Sequence, residues 1–107
     1  MKLTVRKKNS TVIFDIDGNI SFEDTAELES FIFKNIPSGY SCVVINLEKA
    51  SYLTSSALGS FVRIRQTIKD KGISMSMMNA SKDVDNLFKI TGINRYFDYI
   101  TSEDNLP

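Results

Sequence analysis

Histidine and tryptophan are absent from this sequence, and Cys42 is its single cysteine. Histidine is the commonest general base and a common metal ligand, so its absence removes the usual catalytic pairs. One cysteine can form neither an intrachain disulfide nor a zinc cluster, and it fits a reducing compartment. Because Cys42 stands in an apolar run, we expect it to behave as a small buried hydrophobic residue.

Long apolar runs and an excess of charge of one sign are also lacking. No run approaches the roughly 20 residues that span a bilayer, and no N-terminal stretch is ordered like a signal peptide. Lysine plus arginine and aspartate plus glutamate number 13 each, so the formal net charge is zero. Nothing in that balance attracts nucleic acid or an anionic membrane. We therefore expect a cytoplasmic protein that does not insert into membranes, with one domain in its 107 residues.

Apolar periodicity predicts an α/β fold with the element order β-β-α-β-α-β-α. The predicted strands are Leu3–Arg6, Thr11–Asp17, Ser41–Leu47 and Ile73–Met78, and the predicted helices are about Phe22–Lys34, Ser56–Lys71 and a third that follows Ser81. Strands joined through helices of this length need parallel crossovers. We expect one mixed sheet whose later strands are parallel, with helices packed mainly on one face or split between two.

Four local features complete this prediction. Asp17-Gly18 is a strong turn dipeptide and should end the second strand. Residues 48–51 should form a loop, and Ser60 should lie on the polar side of the second helix. Residues 96–100 should add a short strand or a packed tail. Residues 102–107 are polar and should fray.

Most of the hydroxyl side chains in the stretch 52–60 lie where a predicted strand ends and a predicted helix begins. Thr54, Ser55 and Ser56 stand at the predicted helix start, where a side-chain oxygen can accept a bond from an orphan backbone N–H group. One interpretation is that all three are helix caps and nothing more. The other is that Ser55 is phosphorylated, because helix N-termini favour anions and a phosphate would change a docking surface without unfolding the domain.

Catalytic motifs are not found. The sequence has no G-x-x-x-x-G-K-[ST] phosphate loop, and the turn at Ser55 is not a G-x-S-x-G elbow. Asp15 and Asp17 lie on one predicted strand beside a turn, where solvated carboxylates are ordinary. We therefore do not expect an enzyme. A ligand-binding or nucleotide-binding domain is a further alternative, but the sequence has no glycine-rich phosphate-binding loop that would support it.

Several segments together resemble the STAS family, specifically the small stand-alone anti-sigma factor antagonists, over nearly the whole chain, residues 1–107. The segments are Asp17-Gly18-Asn19-Ile20, Val43-Val44-Ile45-Asn46-Leu47-Glu48, Leu53 to Gly59, Lys71-Gly72-Ile73 and Thr91-Gly92-Ile93-Asn94-Arg95-Tyr96-Phe97. Thr54 stands where the family signature usually has an acidic residue. Ser21 stands where many members have aspartate, and Ala57 replaces a frequent glycine.

The resemblance implies a bacterial regulator that acts by switching partners. Its unmodified form would bind an anti-sigma factor, often a serine kinase of the GHKL ATPase type, and release the sigma factor. The kinase would phosphorylate the serine that matches Ser55, and a PP2C-type phosphatase would reverse this. ATP belongs to the kinase, so no cofactor or metal is expected in this chain. The alternative is a non-phosphorylated STAS adaptor in a transporter or lipid-transport complex.

The expected partner-binding surface surrounds the phosphorylation site. Its predicted members are Ser21, Tyr52, Leu53, Thr54, Ser55, Ser56, Leu58 and Gly59.

Overall fold

A computed structural model describes residues 1–107. Five strands and three α-helices follow one another as β1 Lys2–Lys8, β2 Thr11–Ile20, α1 Thr25–Lys34, β3 Cys42–Leu53, α2 Ser55–Asp70, β4 Ser74–Met78, α3 Lys82–Thr91 and β5 Asp98–Ile100. Two short 3₁₀ helices, Phe22–Asp24 and Ile93–Tyr96, precede α1 and β5. The predicted element order is confirmed, and β5 is the short additional strand.

The strands form a single sheet in the order β1-β2-β3-β4-β5. The first pair, β1 and β2, is antiparallel and is joined at Asn9, whose backbone has a φ of 54°. All later neighbours are parallel. The predicted mixed sheet with parallel later strands is therefore confirmed.

All three helices cover one face of the sheet. Side chains alternate between faces along a strand, so Val12, Phe14 and Ile16 meet the helices while Ile13 points to the other face. The helix-side core also includes Ile32 of α1, Ile64 of α2 and Phe88 of α3. Of the two predicted arrangements, helices on one face is the correct one.

The C-terminal segment partly covers the helix-free face, so the prediction that residues 102–107 fray is wrong. Leu106 packs against a small apolar cluster that contains Ile13 and Cys42. The backbone N–H of Ser10 donates a hydrogen bond of 2.7 Å to the carbonyl oxygen of Pro107. The apolar side chains on this face of the central strands need cover, and the tail supplies part of it.

The two central strands run further than predicted. Gly18 does not end β2 but takes its positive φ of 93° inside the strand, where the pairing register shifts. A glycine at such a bulge lets the strand continue. Residues 48–51 are not a loop, because they pair with β2 as far as Leu53 opposite Ile20. Exposed polar side chains hid this extension from the apolar pattern.

The first two helices also depart in detail from the prediction. The expected helix from Phe22 begins with a separate 3₁₀ turn before α1. Ser60 is fully buried and does not lie on the polar side of α2. Its hydroxyl donates a 3.0 Å hydrogen bond to Oε2 of Glu29 on α1, which compensates for burying the polar group.

Candidate functional site

Two chain reversals lie side by side at the carboxyl ends of β2 and β3. The backbone N–H of Thr54 donates a 3.1 Å hydrogen bond to the carbonyl oxygen of Ile20. This bond fixes the segment that leads into α2 against the segment that leads into Ser21. Ser21 and Ser55, which are 34 residues apart in sequence, therefore belong to the same end of the sheet.

Thr54 caps the N-terminus of α2. Its φ of −79° and ψ of 165° are extended, and its Oγ1 accepts a 3.3 Å hydrogen bond from the N–H of Ala57. The same hydroxyl donates a 3.4 Å bond to the carbonyl oxygen of Ile20. Threonine at this position satisfies one orphan N–H group of the helix. The capping role thus belongs to Thr54.

Ser55 is the first helical residue and is exposed. It stands at the positive end of the α2 dipole, and the first turn of α2 contains no acidic residue. The residue is open to solvent and directly follows the capping residue Thr54. A helix N-terminus of this kind favours an anion close to its first backbone N–H groups.

Carboxylates gather around Ser21, although position 21 itself is neutral. Its hydroxyl lies 2.9 Å from Oε2 of Glu23 and 3.0 Å from Oδ2 of Asp24. Its backbone N–H donates a 2.8 Å hydrogen bond to Asp24, and this bond with that of the hydroxyl holds the pKa of the carboxyl below its usual value. The 3₁₀ helix that carries both acids contacts α2. The site is therefore negatively charged on its Ser21 side.

The predicted partner surface divides by burial. Tyr52 is 62% exposed, while Leu53 and Leu58 are only 2% and 4% exposed. Both leucine side chains belong to the core beneath the site, so within the predicted partner surface they support the exposed residues from below. Ser56 and Gly59 are half-buried along α2.

Phe22 is a site residue that the sequence analysis missed. Its side chain is 70% exposed, directly beside Ser21 and in the 3₁₀ helix that contacts α2. Tyr52 lies in the part of β3 that pairs with the end of β2, opposite Asn19. Large exposed apolar groups are typical of contact surfaces.

Comparison with known proteins places this arrangement in a family. The sequence model described as "STAS domain" matches residues 2–106. The chain belongs to the STAS domain family. An anti-sigma-B factor antagonist of Staphylococcus aureus is 27% identical over 78 residues, which are 73% of this chain and 72% of that relative.

Solved structures share the STAS fold. The anti-sigma factor antagonist SpoIIAA in its unphosphorylated form superposes with a TM-score of 0.78 at 18% identity, covering 96% of this chain and 91% of SpoIIAA. The phosphorylated form of SpoIIAA, from Bacillus, gives 0.71 at 15% identity, covering 96% and 95%. At these identities the likeness concerns the fold alone. No helix of this STAS domain is both long and apolar enough to cross a membrane.

A polar cavity on the helix-free face of this STAS domain is lined by a network of ion pairs and hydrogen bonds. It has a volume of about 410 Å³ and lies over β1, β2 and β3. Asp15 accepts hydrogen bonds from Arg6 at 2.6 and 2.9 Å and from Asn46 at 2.7 Å. The Arg6 bonds, aided by Asn46, hold the pKa of Asp15 below its usual value. Arg6 also binds Glu103 at 2.8 Å, so the network fastens the C-terminal segment.

Proposed function

We propose that this STAS domain is an anti-sigma factor antagonist regulated at Ser55. In its unmodified form it binds an anti-sigma factor of the GHKL serine-kinase type. The kinase phosphorylates Ser55, the complex separates, and a PP2C-type phosphatase restores the binding form. The cycle takes place in the cytoplasm. The S. aureus relative is named an anti-sigma-B factor antagonist, and SpoIIAA is described in both phosphorylated and unphosphorylated forms.

The observation that carries the proposal is the division of labour between two neighbouring hydroxyls. Thr54 is committed to capping α2, whereas Ser55 is exposed at the first helical position. A phosphoryl group on Ser55 would add about 1.5 to 2 negative charges without removing the cap. Backbone N–H groups at the start of α2 favour such an anion, so the domain stays folded.

The loss of partner binding follows from the charge around the site. The carboxylates of Glu23 and Asp24 already stand on the Ser21 side, and no lysine or arginine lies in the first turn of α2. A phosphate on Ser55 therefore has no cationic side chain there to pair with. A partner surface that fits the neutral serine must desolvate this dianion, which costs several kcal/mol. The exposed rings of Phe22 and Tyr52 supply the apolar part of the contact.

The test measures partner affinity and stability separately. The unmodified protein is used to isolate its partner from the source cell, and the pair is then studied by calorimetry. Ser55→Asp should weaken binding at least about tenfold, because it places an unpaired charge in the contact. Ser55→Ala should bind normally and take up no phosphate from the kinase and ATP. Thermal unfolding of both variants should stay close to that of the wild type.

Ser102→Asp is the matched control, since Ser102 is exposed in the C-terminal segment and the substitution adds the same charge. It should bind like the wild type. Equal affinities of Ser55→Asp and wild type would refute regulation at Ser55. That result, together with transporter or lipid-transport subunits as the isolated partners, would favour the adaptor alternative.

A further inference from the structure

A second polar cavity lies away from Ser55. It has a volume of about 240 Å³ and is lined by the second half of α2, the start of β4 and the segment that enters β5. Ser74, which lines it, is the first residue of β4 and pairs with Cys42 at the start of β3. Ser55 follows the other end of β3. The cavity and the proposed phosphorylation site therefore occupy opposite ends of the parallel strands.

Three cationic side chains line this cavity: Arg65, Lys69 and Arg95. None of them is within ion-pair distance of a carboxylate. The salt bridges of the chain involve Arg6, Arg63 and Lys89. Asp98 is the single acidic residue of the lining. Three cations facing one carboxylate form a local positive excess in a chain whose formal net charge is zero.

The positive charges of this excess repel one another. Arg65 and Lys69 stand four residues apart on α2, and like charges at that spacing weaken a helix. On α3, in contrast, Asp85 and Lys89 at the same spacing carry opposite charges and form an ion pair of 2.8 Å. Sites that break a local rule are those at which a function is expected. An anion bound between the cations would remove the conflict.

The cavity is also partly preorganised. The guanidinium of Arg65 lies 5.8 Å from the centre of the Tyr96 ring, a cation–π contact that restrains the long side chain. Guanidinium groups bind phosphate oxygens through paired N–H donors, and Lys69 adds a compact charge. A volume of about 240 Å³ suits a phosphoryl group on a small molecule and is below the usual range for larger organic ligands.

We propose that this cavity binds the phosphoryl group of a small phosphate monoester, held by Arg65, Lys69 and Arg95. The ligand dianion replaces the carboxylates that these cations lack. Binding here is separate from the Ser55 surface and does not depend on it.

The test is an NMR titration of the folded chain with inorganic phosphate and with glycerol phosphate, at ionic strength held constant with chloride. Backbone signals of Ser74 and Met75 and the arginine Nε–H signals should shift and saturate. Arg65→Gln and Arg95→Gln should each weaken binding about tenfold or more, because each removes a charge-assisted contact. Lys69→Gln is a third variant and should also weaken binding. Because Lys69 is exposed, this change does not threaten folding.

Arg63→Gln is the matched control. Arg63 lies on the same helix as Arg65 and is paired with Glu29 outside the cavity, and the substitution removes the same charge. It should bind phosphate within about twofold of the wild type, because Arg63 does not line the cavity. Nonspecific attraction, in contrast, would treat all exposed cations alike. Linear, non-saturating shifts would overturn the proposal. So would an equal loss of affinity in Arg63→Gln and Arg65→Gln.

Discussion

Removing the Thr54 cap while keeping the Ser55 hydroxyl separates the capping residue from the residue proposed to be regulatory. In Thr54→Ala, α2 loses its side-chain acceptor for the N–H of Ala57. Such caps contribute about 0.5–2 kcal/mol. The two bonds of Thr54, at 3.3 and 3.4 Å, are longer than the preferred hydrogen-bond distances. We therefore expect a loss of about 1 kcal/mol, in the lower half of that range.

Urea unfolding followed by circular dichroism measures this loss. Thr54→Ala should lower the unfolding midpoint without changing the dependence on urea, and should lower Tm by about 4 °C. Thr54→Ser keeps the acceptor and should recover at least half of the loss. Ser55→Ala is the matched control, because it deletes a neighbouring exposed hydroxyl outside the cap, and its stability should stay within about 0.5 kcal/mol of the wild type. If Ser55→Ala cost as much as Thr54→Ala, the assignment of the two roles would be wrong.

Two further predictions concern polar contacts outside the site. Ser60→Ala should lower the free energy of unfolding in urea by about 1–2 kcal/mol, because the buried hydroxyl donates to a charged acceptor. When Ser60→Ala is made in a protein that already carries Glu29→Gln, the loss should be smaller. For Asp15, the lowered pKa means that its contribution to stability is present above the unfolded value near 3.8 and is lost as the pH falls through the lower folded value. Asp15→Asn should therefore destabilise most near neutral pH and least near pH 2, whereas a destabilisation independent of pH would contradict a role for the Arg6 pairing.

The sequence predicted those parts of the fold that local rules determine. The period of α2 and the glycine after it, with a φ of 75° at Gly72, marked both ends of that helix to within a residue. The Asp17-Gly18 pair predicted a turn that ends β2, but the positive φ of Gly18 belongs to a bulge inside the strand. Which of the two forms depends on the neighbouring strand, and no local pattern contains that information.

The candidate site divides in the same way. The capping preference of threonine, a rule about one helix turn, located Thr54 and Ser55 correctly at the start of α2. The hydrogen bond of the buried Ser60 is made to Glu29, 31 residues earlier, and the 3₁₀ turn that carries Phe22 was not revealed by the apolar period. Contacts between distant segments and changes of helix type therefore account for the errors.

The joint extension of β2 and β3 has a kinetic consequence for recognition. Both ends of the proposed contact face follow one hydrogen-bonded strand pair, so neither has to be assembled when a partner binds. Rigid docking of this kind proceeds at about 10⁵–10⁷ M⁻¹s⁻¹, and changes in affinity then fall mainly on how long the complex lasts. A covalent charge at Ser55 should thus shorten the lifetime of the complex far more than it slows the encounter.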